Sequence, residues 1–446
     1  MNKRMVILGS GESGVGAAIL AKLKGYDVFV SDGGKIAEKY RNELDHFEIE
    51  FEEAQHTEEK ILNADEVMKS PGIPEKAEIV KKIRRKGIEI ISEVELAYRY
   101  IGNSKLIGIT GSNGKSTCTS LIYHICKTAG MDCALVGNIG ISIAKQVALN
   151  PKEVYVAEIS SFQLDDIKTF RPDIAVLLNI TEDHLDRYDY KFENYIASKF
   201  KIAMNQQAGD YFIYCEDDPV TMQNLKKFNI TSNPLPFTMN QEVPKGAFIR
   251  NNQMTVIVND EKLTMSVDDF AIKGKHNQYN TMAAGIAAAT LGLRKEKIRE
   301  AITTFESLEH RMEAVATVRG VEFINDSKAT NVNSTWYALE SMSKPTILIL
   351  GGVDKGNDYS VLMDLVKEKV KAIVCMGVDN TKIHEAFGKE VSVIVNTASA
   401  QEAVQASFHL ANKGDVVLLS PACASFDLFK NYEDRGTQFK NAVKEL

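Results

Sequence analysis

A run of phosphate-binding residue types extends from Gly111 to Thr117 in the order Gly-Ser-Asn-Gly-Lys-Ser-Thr. The apolar run Leu106–Ile109 before it predicts a buried strand, and the apolar periodicity after it predicts a helix. In such a turn, backbone N–H groups hold anionic oxygens, Lys115 reaches the outer phosphates, and the hydroxyl of Ser116 or Thr117 ligates magnesium. The strict spacing would place a glycine at position 109, so the loop is a shortened variant. We predict a nucleoside triphosphate site here in preference to an ordinary strand-to-helix turn.

Acidic residues and a histidine follow two further predicted strands. Glu158 ends one apolar strand, and the next runs into Thr181–Asp186, which contains three acids and His184. The carboxyl ends of strands form the ligand-binding edge of open α/β sheets. A strand-end glutamate is more often simply solvated, but beside a phosphate loop we predict that it holds magnesium. The predicted helix that follows, Phe192–Met204, carries Lys199.

The N-terminal segment, residues 1–98, alternates predicted strands and helices. The strand Met5–Leu8 leads into Gly9–Gly14, which has the spacing Gly-x-Gly-x-x-Gly, and the next strand ends at Asp32. This context is typical of a Rossmann-like dinucleotide fold, although the glycines indicate only that a phosphate-bearing ligand approaches the backbone. A second turn, Ser70–Pro74, is either a rigid connector or a ligand contact.

The C-terminal segment, residues 307–446, has three polar loops that each follow a predicted strand. The first, Asn325–Asn331, ends a predicted hairpin, and the others are Gly351–Gly356 and Ser420–Asp427. Their concentration of Gly, Ser, Asp and Lys predicts a further α/β domain with its own ligand edge. Upstream, the polar run Gly274–Asn280 opens a predicted helix, either as a cap or as a nucleotide contact.

Bulk composition limits the classes of function. A chain of 446 residues predicts two or three domains, and 44% hydrophobic with 25% charged residues is typical of a globular protein. A net charge of −7 argues against nucleic acid as a partner. Six cysteines without a Cys-x-x-Cys pair favour reduced thiols in the cytoplasm, and no run is long enough to span a bilayer. We therefore predict an α/β protein of three domains, residues 1–98, 99–306 and 307–446.

Six stretches together resemble the Mur ligase family, the ATP-dependent amide ligases of peptidoglycan precursor synthesis. They are Thr110–Thr117, Glu158–Leu164, Thr181–Arg187, Leu308–Arg311, Asn325–Asn331 and Ser420–Ser425. The resemblance covers essentially the whole chain, and such an ordered set is far more specific than any one motif. It implies a Rossmann-like N-terminal domain for a uridine diphosphate substrate, a central P-loop ATPase-type domain, and a Rossmann-like C-terminal domain for an amino acid.

The resemblance also implies site residues. ATP would contact Gly111, Ser112, Asn113, Gly114, Lys115, Ser116, Thr117, Asn277, Arg311 and Asp326. The UDP-linked substrate would contact Glu12, Ser13, Asp32, Gly72 and Asn138, and the amino acid would contact Lys328, Thr330, Lys355, Ser425 and Tyr432. The catalytic group would be Lys115, Glu158, His184 and Lys199. Two Mg²⁺ ions would be held by Ser116, Glu158, His184 and a carbamylated Lys199.

Two departures from the family pattern stand out. After Asp32 the chain has Gly33-Gly34-Lys35 in place of a hydroxyl and an arginine, with Lys35 as a substitute for the diphosphate contact. Tyr432 stands where an aromatic residue without a hydroxyl is usual.

The activity implied by the resemblance is the ATP-dependent addition of D-glutamate to UDP-N-acetylmuramoyl-L-alanine through an acyl phosphate. A monomeric cytoplasmic enzyme acting on small molecules, with no nucleic acid partner and no membrane insertion, is expected. A folylpolyglutamate synthase-like ligase, an NAD-dependent oxidoreductase and a nucleotide-gated binding module are the alternatives. The Gly-x-Gly-x-x-Gly segment counts against the first alternative, and the group Glu158, His184 and Lys199 counts against the last.

Overall fold

Three sheets organise the chain in the computed structural model, which describes residues 3–306, 309–354 and 356–446. They contain five, nine and six strands and are flanked by helices. This architecture confirms the predicted α/β fold class with three sheet-based domains. The six cysteines are buried and free. Within the described ranges, no helix has both the length and the apolarity needed to cross a membrane.

The first sheet is entirely parallel. Its strands are β1 (Arg4–Leu8), β2 (Asp27–Ser31), β3 (Glu50–Glu52), β4 (Glu66–Lys69) and β5 (Glu89–Ile91). The helices are α1 (Glu12–Leu23), α2 (Glu38–His46), α3 (Glu58–Ile61), α4 (Glu78–Lys86) and α5 (Glu93–Tyr98). The strand order β3-β2-β1-β4-β5 has residues Met5–Leu8 of the central β1 buried, as in a doubly wound Rossmann-like fold.

The second sheet is built around the strand that precedes the phosphate loop. Its strands are β6 (Lys105–Thr110), β7 (Cys133–Gly137), β8 (Val154–Glu158), β9 (Ile174–Leu177), β10 (Tyr211–Cys215), β11 (Asn233–Thr238), β12 (Gly246–Arg250), β13 (Gln253–Val258) and β14 (Glu261–Ser266). The helices are α6 (Lys115–Thr128), α7 (Ile143–Leu149), α8 (Ser161–Asp165), α9 (Phe192–Phe200), α10 (Pro219–Asn224), α11 (Lys275–Thr290) and α12 (Lys295–Thr304). The order β14-β13-β12-β11-β10-β9-β6-β8-β7 places β6 between β8 and β9, with all three strands parallel.

The third sheet carries the C-terminal loops. Its strands are β15 (Glu313–Val318), β16 (Val321–Asn325), β17 (Thr346–Leu350), β18 (Val370–Met376), β19 (Ile394–Thr397) and β20 (Val416–Leu419). The helices are α13 (Val332–Glu340), α14 (Met363–Lys369), α15 (Thr381–Phe387), α16 (Ala400–Leu410) and α17 (Tyr432–Lys444). In the order β15-β16-β20-β17-β18-β19, only the predicted hairpin β15–β16 is antiparallel. The ends of β16, β17 and β20 therefore lie side by side at one edge.

Short 3-10 helices complete the chain. They are Leu185–Arg187, Lys201–Ala203, Leu225–Lys227, Val267–Asp269 and Tyr359–Leu362. The second of these continues from α9, so the helix predicted over Phe192–Met204 is an α-helix followed by one 3-10 turn.

The residues pack into two compact units. The first contains the chain up to Phe270 together with Tyr279–Thr304, and thus both the first and second sheets. The second contains Ala271–Gln278 and Phe305–Leu446. The domain boundaries at 98/99 and 306/307 remain predictions.

Candidate active site

The phosphate loop joins β6 to α6 and is shaped by two glycines. Gly111 has φ 153° and Gly114, at the N-cap of α6, has φ 84°. A Cβ atom at position 114 would overlap the side-chain oxygen of Asn280. Positive φ and this close approach together require glycine at position 114.

Asn179, two residues beyond the end of β9, holds the loop from the side of the neighbouring strand. Its carbonyl accepts a hydrogen bond from the Ser112 N–H (3.0 Å), and its Oδ1 accepts one from the Asn113 N–H (2.9 Å). Its Nδ2 donates to the Asn113 carbonyl (3.1 Å). Sequence reasoning did not single out Asn179; its place at the end of the strand beside β6 was the available signal.

The side chain of Ser112 also forms hydrogen bonds that hold the loop in place. Its hydroxyl donates to the Thr181 carbonyl (2.9 Å), accepts from the Thr181 N–H (2.9 Å), and lies 3.1 Å from the Tyr195 hydroxyl. The loop is thereby tied to the acid-rich segment predicted at Thr181–Asp186. Of the predicted hydroxyl ligands, Ser116 and Thr117 lie buried in the first turn of α6.

Two lysines meet at one carbonyl oxygen of the loop. Lys115 Nζ and Lys199 Nζ each donate to the Gly111 carbonyl at 2.8 Å. Lys199 is only 2% exposed, also donates to the Thr110 hydroxyl (3.3 Å), and lies over the Tyr195 ring. Burial, together with the nearby charge of Lys115, holds the pKa of Lys199 well below its usual range. The amine of Lys199 is therefore neutral more readily than that of an ordinary lysine, and carbamylation needs the neutral amine.

Glu158 ends β8 with one carboxylate oxygen engaged and one not. Oε1 accepts a hydrogen bond from Asn138 Nδ2 (2.8 Å), which places the predicted substrate residue beside the predicted metal ligand. Oε2 is buried and has no hydrogen-bond partner among the described residues. A buried carboxylate oxygen without a donor is costly unless a cation meets it, so this position suits Mg²⁺.

His184 lies at the entry to the 3-10 turn after β9, with φ 53°. Its Nε2 is 3.5 Å from Asp183 Oδ2, and its ring packs edge-on against Phe162. Arg187 covers the same Phe162 ring and donates to the Pro71 carbonyl (3.1 Å), next to the predicted substrate residue Gly72. In the described part of the chain, no three His, Cys, Asp or Glu side chains are grouped for a metal ion; the predicted metal set contains two such residues.

The glycine loop of the first sheet is braced by Asp32. Oδ2 accepts from the Ser10 N–H (2.7 Å) and hydroxyl (2.6 Å), and Oδ1 accepts from the Gly34 N–H (2.8 Å). Burial acts to raise the pKa of Asp32, but these hydrogen bonds outweigh it and the pKa is lowered. The ionised Asp32 side chain thus links the loops after β1 and β2 through its hydrogen bonds.

The other two predicted contacts of this loop, Glu12 and Ser13, open α1. Glu12 lies 3.5 Å from Lys39, and Ser13 acts to lower the pKa of the buried Glu93, which burial nevertheless raises.

In the second unit, the predicted ATP residues include a buried acid. Asp326 accepts from the Ser420 hydroxyl (2.9 Å) and the Met312 N–H (3.3 Å). Burial raises the pKa of Asp326 to about 6, and the positive charge of Arg311 opposes the shift. The Nε of Arg311 is buried without a hydrogen-bond partner among the described residues. Asn277 is buried and donates to the Lys273 carbonyl (2.8 Å).

The predicted amino-acid residues lie on the loops after β16 and β20 and at the start of α17. Lys328 Nζ is 5.4 Å from the centre of the Tyr432 ring. The Thr330 N–H donates to the Lys328 carbonyl (3.0 Å), and Ser425 is buried. The prediction for Lys355 lies outside the described residues.

Arg435, which sequence reasoning missed, links these loops. It is fully buried in α17 and donates to Ser327 (2.8 and 2.9 Å) and to the Cys423 carbonyl (3.2 Å). Burial lowers the pKa of Arg435 to about 10. An arginine inside an otherwise amphipathic helix gives no sequence signal for this role.

Comparison with known proteins agrees with this arrangement. Residues 109–288 match the Mur ligase middle domain, residues 310–423 the Mur ligase glutamate ligase domain, and residues 4–79 the MurD N-terminal domain. The chain belongs to the Mur ligase family. The family predicted from the six stretches is confirmed, and neither the folylpolyglutamate synthase-like nor the NAD-dependent interpretation is favoured.

Full-length relatives share a single name. Proteins from Christiangramia forsetii (56% identical over 446 residues, 100% of both chains) and Bacteroides fragilis (54% over 445 residues, 100% of both) are named UDP-N-acetylmuramoylalanine–D-glutamate ligase. A protein of the same name from Salinibacter ruber is 40% identical over 452 residues, covering 99% of this chain and 98% of its own.

Solved structures support the fold. A pseudomurein peptide ligase type C from Methanothermus fervidus has a TM-score of 0.62 at 19% identity over 100% of both chains. The UDP-N-acetylmuramate-alanine ligase MurC from Thermotoga maritima has a TM-score of 0.63 at 16% identity over 99% of both chains.

Proposed function

We propose that this chain joins D-glutamate to UDP-N-acetylmuramoyl-L-alanine and converts ATP to ADP and phosphate. The observation that carries the proposal is the 56% identity, over the complete chain, to the Christiangramia forsetii protein named for that reaction. The phosphate loop with Lys115 at the start of α6 supplies the matching chemistry.

The reaction needs an activated carboxyl group, because a carboxylate is a poor acylating agent. In the first step a substrate carboxylate oxygen attacks the γ-phosphorus, ADP leaves, and an acyl phosphate forms. The loop N–H groups and Lys115 stabilise the charge that develops on the transferred phosphoryl group. In the second step the amine of D-glutamate attacks the acyl carbon and loses a proton, and phosphate leaves.

Magnesium fits the residues around the loop. Glu158, with its unpartnered buried Oε2, and Ser116, in the first turn of α6, would hold one ion. When bound, the ion supplies positive charge beside the phosphoryl oxygens. We assign His184 and a carbamylated Lys199 to a second ion. The buried amine with lowered pKa supports carbamylation, since the neutral form attacks carbon dioxide.

The amino-acid contacts are assigned to Lys328, Thr330, Lys355, Ser425 and Tyr432. Two lysines and two hydroxyl groups suit a ligand with two carboxylates, and a basic amino acid would face like charges. Glu12, Ser13, Asp32, Gly72 and Asn138 are assigned to the UDP-linked substrate. Asn277, Arg311 and Asp326 keep their predicted role toward ATP. A monomeric state and a cytoplasmic location are part of the proposal.

A substrate panel tests the assignment. Phosphate release from ATP is measured with UDP-N-acetylmuramoyl-L-alanine and, in turn, D-glutamate, L-glutamate, L-lysine and diaminopimelate. Release that needs both the UDP-linked substrate and D-glutamate is expected, with reactions lacking either one as controls. Preference for another amino acid would overturn the D-glutamate assignment and leave the ligase chemistry standing.

A further inference from the structure

A histidine that no predicted role includes lies at the ligand-binding edge of the first sheet. His56 is in the loop between β3 and α3, and its Nδ1 is 2.7 Å from the hydroxyl of Ser31, the last residue of β2. The same hydroxyl is 2.7 Å from Oε1 of Glu52, the last residue of β3. Ser31 and Glu52 are direct partners in the parallel ladder, so the three side chains meet where β2 and β3 end.

The hydrogen bonds of this group determine which nitrogen of His56 carries the proton. Burial acts to raise the pKa of Glu52, but hydrogen bonds from Thr57 and Ser31 outweigh it and the pKa is lowered, so the carboxylate only accepts. The single hydroxyl proton of Ser31 goes to Glu52. The hydroxyl oxygen then accepts from Nδ1–H of His56, and in a ring that carries one proton this leaves Nε2 as an acceptor.

The acceptor nitrogen is directed at the loop after β2. A Cβ atom built on Gly33 would lie 3.1 Å from His56 Nε2, closer than to ring atoms Cδ2 (3.6 Å) or Cε1 (3.8 Å). Within the described ranges, the bond to Ser31 is the one hydrogen bond of the His56 side chain. The neighbouring Asp32 carboxylate already accepts three hydrogen bonds from Ser10 and Gly34. Nε2 of His56 can therefore accept a further hydrogen bond at this end of the strands.

Strand order puts His56 on the side of the sheet toward which the base of a bound nucleotide would extend. In a Rossmann-like sheet the phosphates lie at the glycine loop after β1, and the ribose lies at the acid that ends β2. Here β3 is the next strand outward, and parallel strands are spaced by about 4.8 Å. The end of β3 is thus roughly 10 Å from the phosphate-binding loop, on the side toward which the base extends.

We propose that His56 reads the nucleobase of the UDP-linked substrate, with Nε2 accepting a hydrogen bond from the imide N3–H of uracil. The inference rests on the proposed function for the identity of the nucleotide. Cytosine carries a lone pair at N3, which would face the lone pair of Nε2. A site built to accept from N–H rejects an analogue without that donor, and we expect a preference of roughly tenfold for uracil.

Calorimetric titration of the full chain with UDP and with CDP tests the proposal. The parent protein should bind UDP roughly tenfold more tightly than CDP. His56→Phe should remove the preference, and His56→Gln should retain part of it because its amide oxygen can accept. Ser31→Ala should weaken the preference, because His56 Nδ1–H loses its acceptor and the tautomer is no longer fixed. His46→Phe, an exposed histidine of α2 in the same sheet domain, is the matched control and should leave it unchanged.

Nitrogen-15 chemical shifts of the histidine rings give a readout independent of affinity. The singly protonated His56 ring should be the Nδ1–H tautomer in the parent and a tautomer mixture in Ser31→Ala. Equal binding of UDP and CDP by the parent, a full preference in His56→Phe, or an Nε2–H tautomer in the parent would each overturn the proposal. Uracil preference without D-glutamate ligation would overturn the proposed function alone, and ligation without uracil preference would overturn this inference alone.

Discussion

Lys199 is the residue whose environment departs furthest from that of an ordinary lysine. A solvated lysine on a helix would be exposed and charged, whereas Lys199 is buried between the Gly111 carbonyl and the Tyr195 ring. The second cation, Lys115, makes the charged form still less favourable. A neutral amine at the phosphate loop is suited to react with carbon dioxide, giving a carbamate and a proton.

Replacement of this lysine tests the carbamate directly. Lys199→Ala should lower the ligation rate by roughly a hundredfold or more, because the carboxylate that the proposed carbamate supplies would be lost. Short carboxylic acids such as acetate should restore part of the rate, and buffer depleted of carbon dioxide should slow the parent. Lys201→Ala, in the next 3-10 turn, is the matched control and should retain its rate. Full activity of Lys199→Ala would reduce the residue to a structural role.

The raised pKa of Asp326 predicts that its contribution to folding stability changes with pH in the opposite direction to that of most carboxylates. Its pKa is raised from 3.8 to about 6 in the folded protein, so the folded state binds more protons than the unfolded state between these values. Its contribution to stability should therefore fall as pH rises from about 4 to about 6. Asp326→Asn should remove this fall, a difference of at most about 3 kcal/mol across the window.

The measurement uses the single tryptophan, Trp336 in α13 of the same unit, as a fluorescence probe of urea unfolding. Unfolding free energies are compared at pH 4.5 and 7 for the parent, Asp326→Asn and the exposed control Asp364→Asn in α14. Parallel pH profiles for the parent and Asp326→Asn would contradict the prediction.

The roles of Lys115, Glu158 and His184 stay predictions. These three residues were singled out from the sequence because their chemistry and their spacing coincide. Asn179, Arg435 and His56 were not, because their roles depend on partners that only the fold brings near. Asn179 acts from the adjacent strand β9, and Arg435 reaches back to Ser327 across 108 positions. His56 acquires its orientation from Ser31 and Glu52, which meet only through strand pairing.

At the scale of elements, α6 has a glycine in left-handed conformation at each end. Gly114 has φ 84° and Gly130 has φ 81°, so alanine would introduce similar backbone strain at both, about 1–2 kcal/mol. Only at position 114 would the new Cβ meet a neighbour, Asn280; around Gly130 there is open space. Alanine substitutions at these two positions therefore distinguish the effect of backbone strain from the effect of disrupting the phosphate loop.

Gly114→Ala should lose ligation by roughly a hundredfold or more, because the loop N–H groups shift away from the phosphates. Gly130→Ala should keep its activity and lose only the strain energy. Circular dichroism during urea unfolding gives the stabilities, and titration with ATP gives the affinity. Equal loss of activity in the two variants would show that the strain, rather than the contact with Asn280, decides the outcome.

Elements with strong apolar periodicity were predicted with correct type, and β8, β17 and β20 have the predicted ends. Strand β19, at the edge of its sheet, was not predicted, because an edge strand shows a weaker apolar pattern.

At the scale of the molecule, α1 and α7 join the first two sheets. Gly16 of α1 packs so closely on Ser142, the N-cap of α7, that a Cβ atom at position 16 would overlap its hydroxyl. That hydroxyl donates to the fully buried Glu93 of α5 (2.6 Å), whose other oxygen has no partner among the described residues. The contact joins the proposed substrate loop to the sheet that carries the phosphate loop.

Gly16→Ala should weaken this join. The added methyl gains about 1 kcal/mol in helix propensity but costs about 1–3 kcal/mol in overpacking, and it displaces the Ser142 hydroxyl from Glu93. Hydrogen exchange followed by mass spectrometry should show faster exchange in α1 and α7, with β15–β20 unchanged. Ser142→Gly in the same chain should relieve the overpacking and restore part of the protection, while the lost hydrogen bond to Glu93 keeps it below that of the parent; a double-mutant cycle measures this coupling. Gly209→Ala, at an exposed glycine with open space around it, is the control. Unchanged exchange in Gly16→Ala would mean that the two sheets are held together elsewhere.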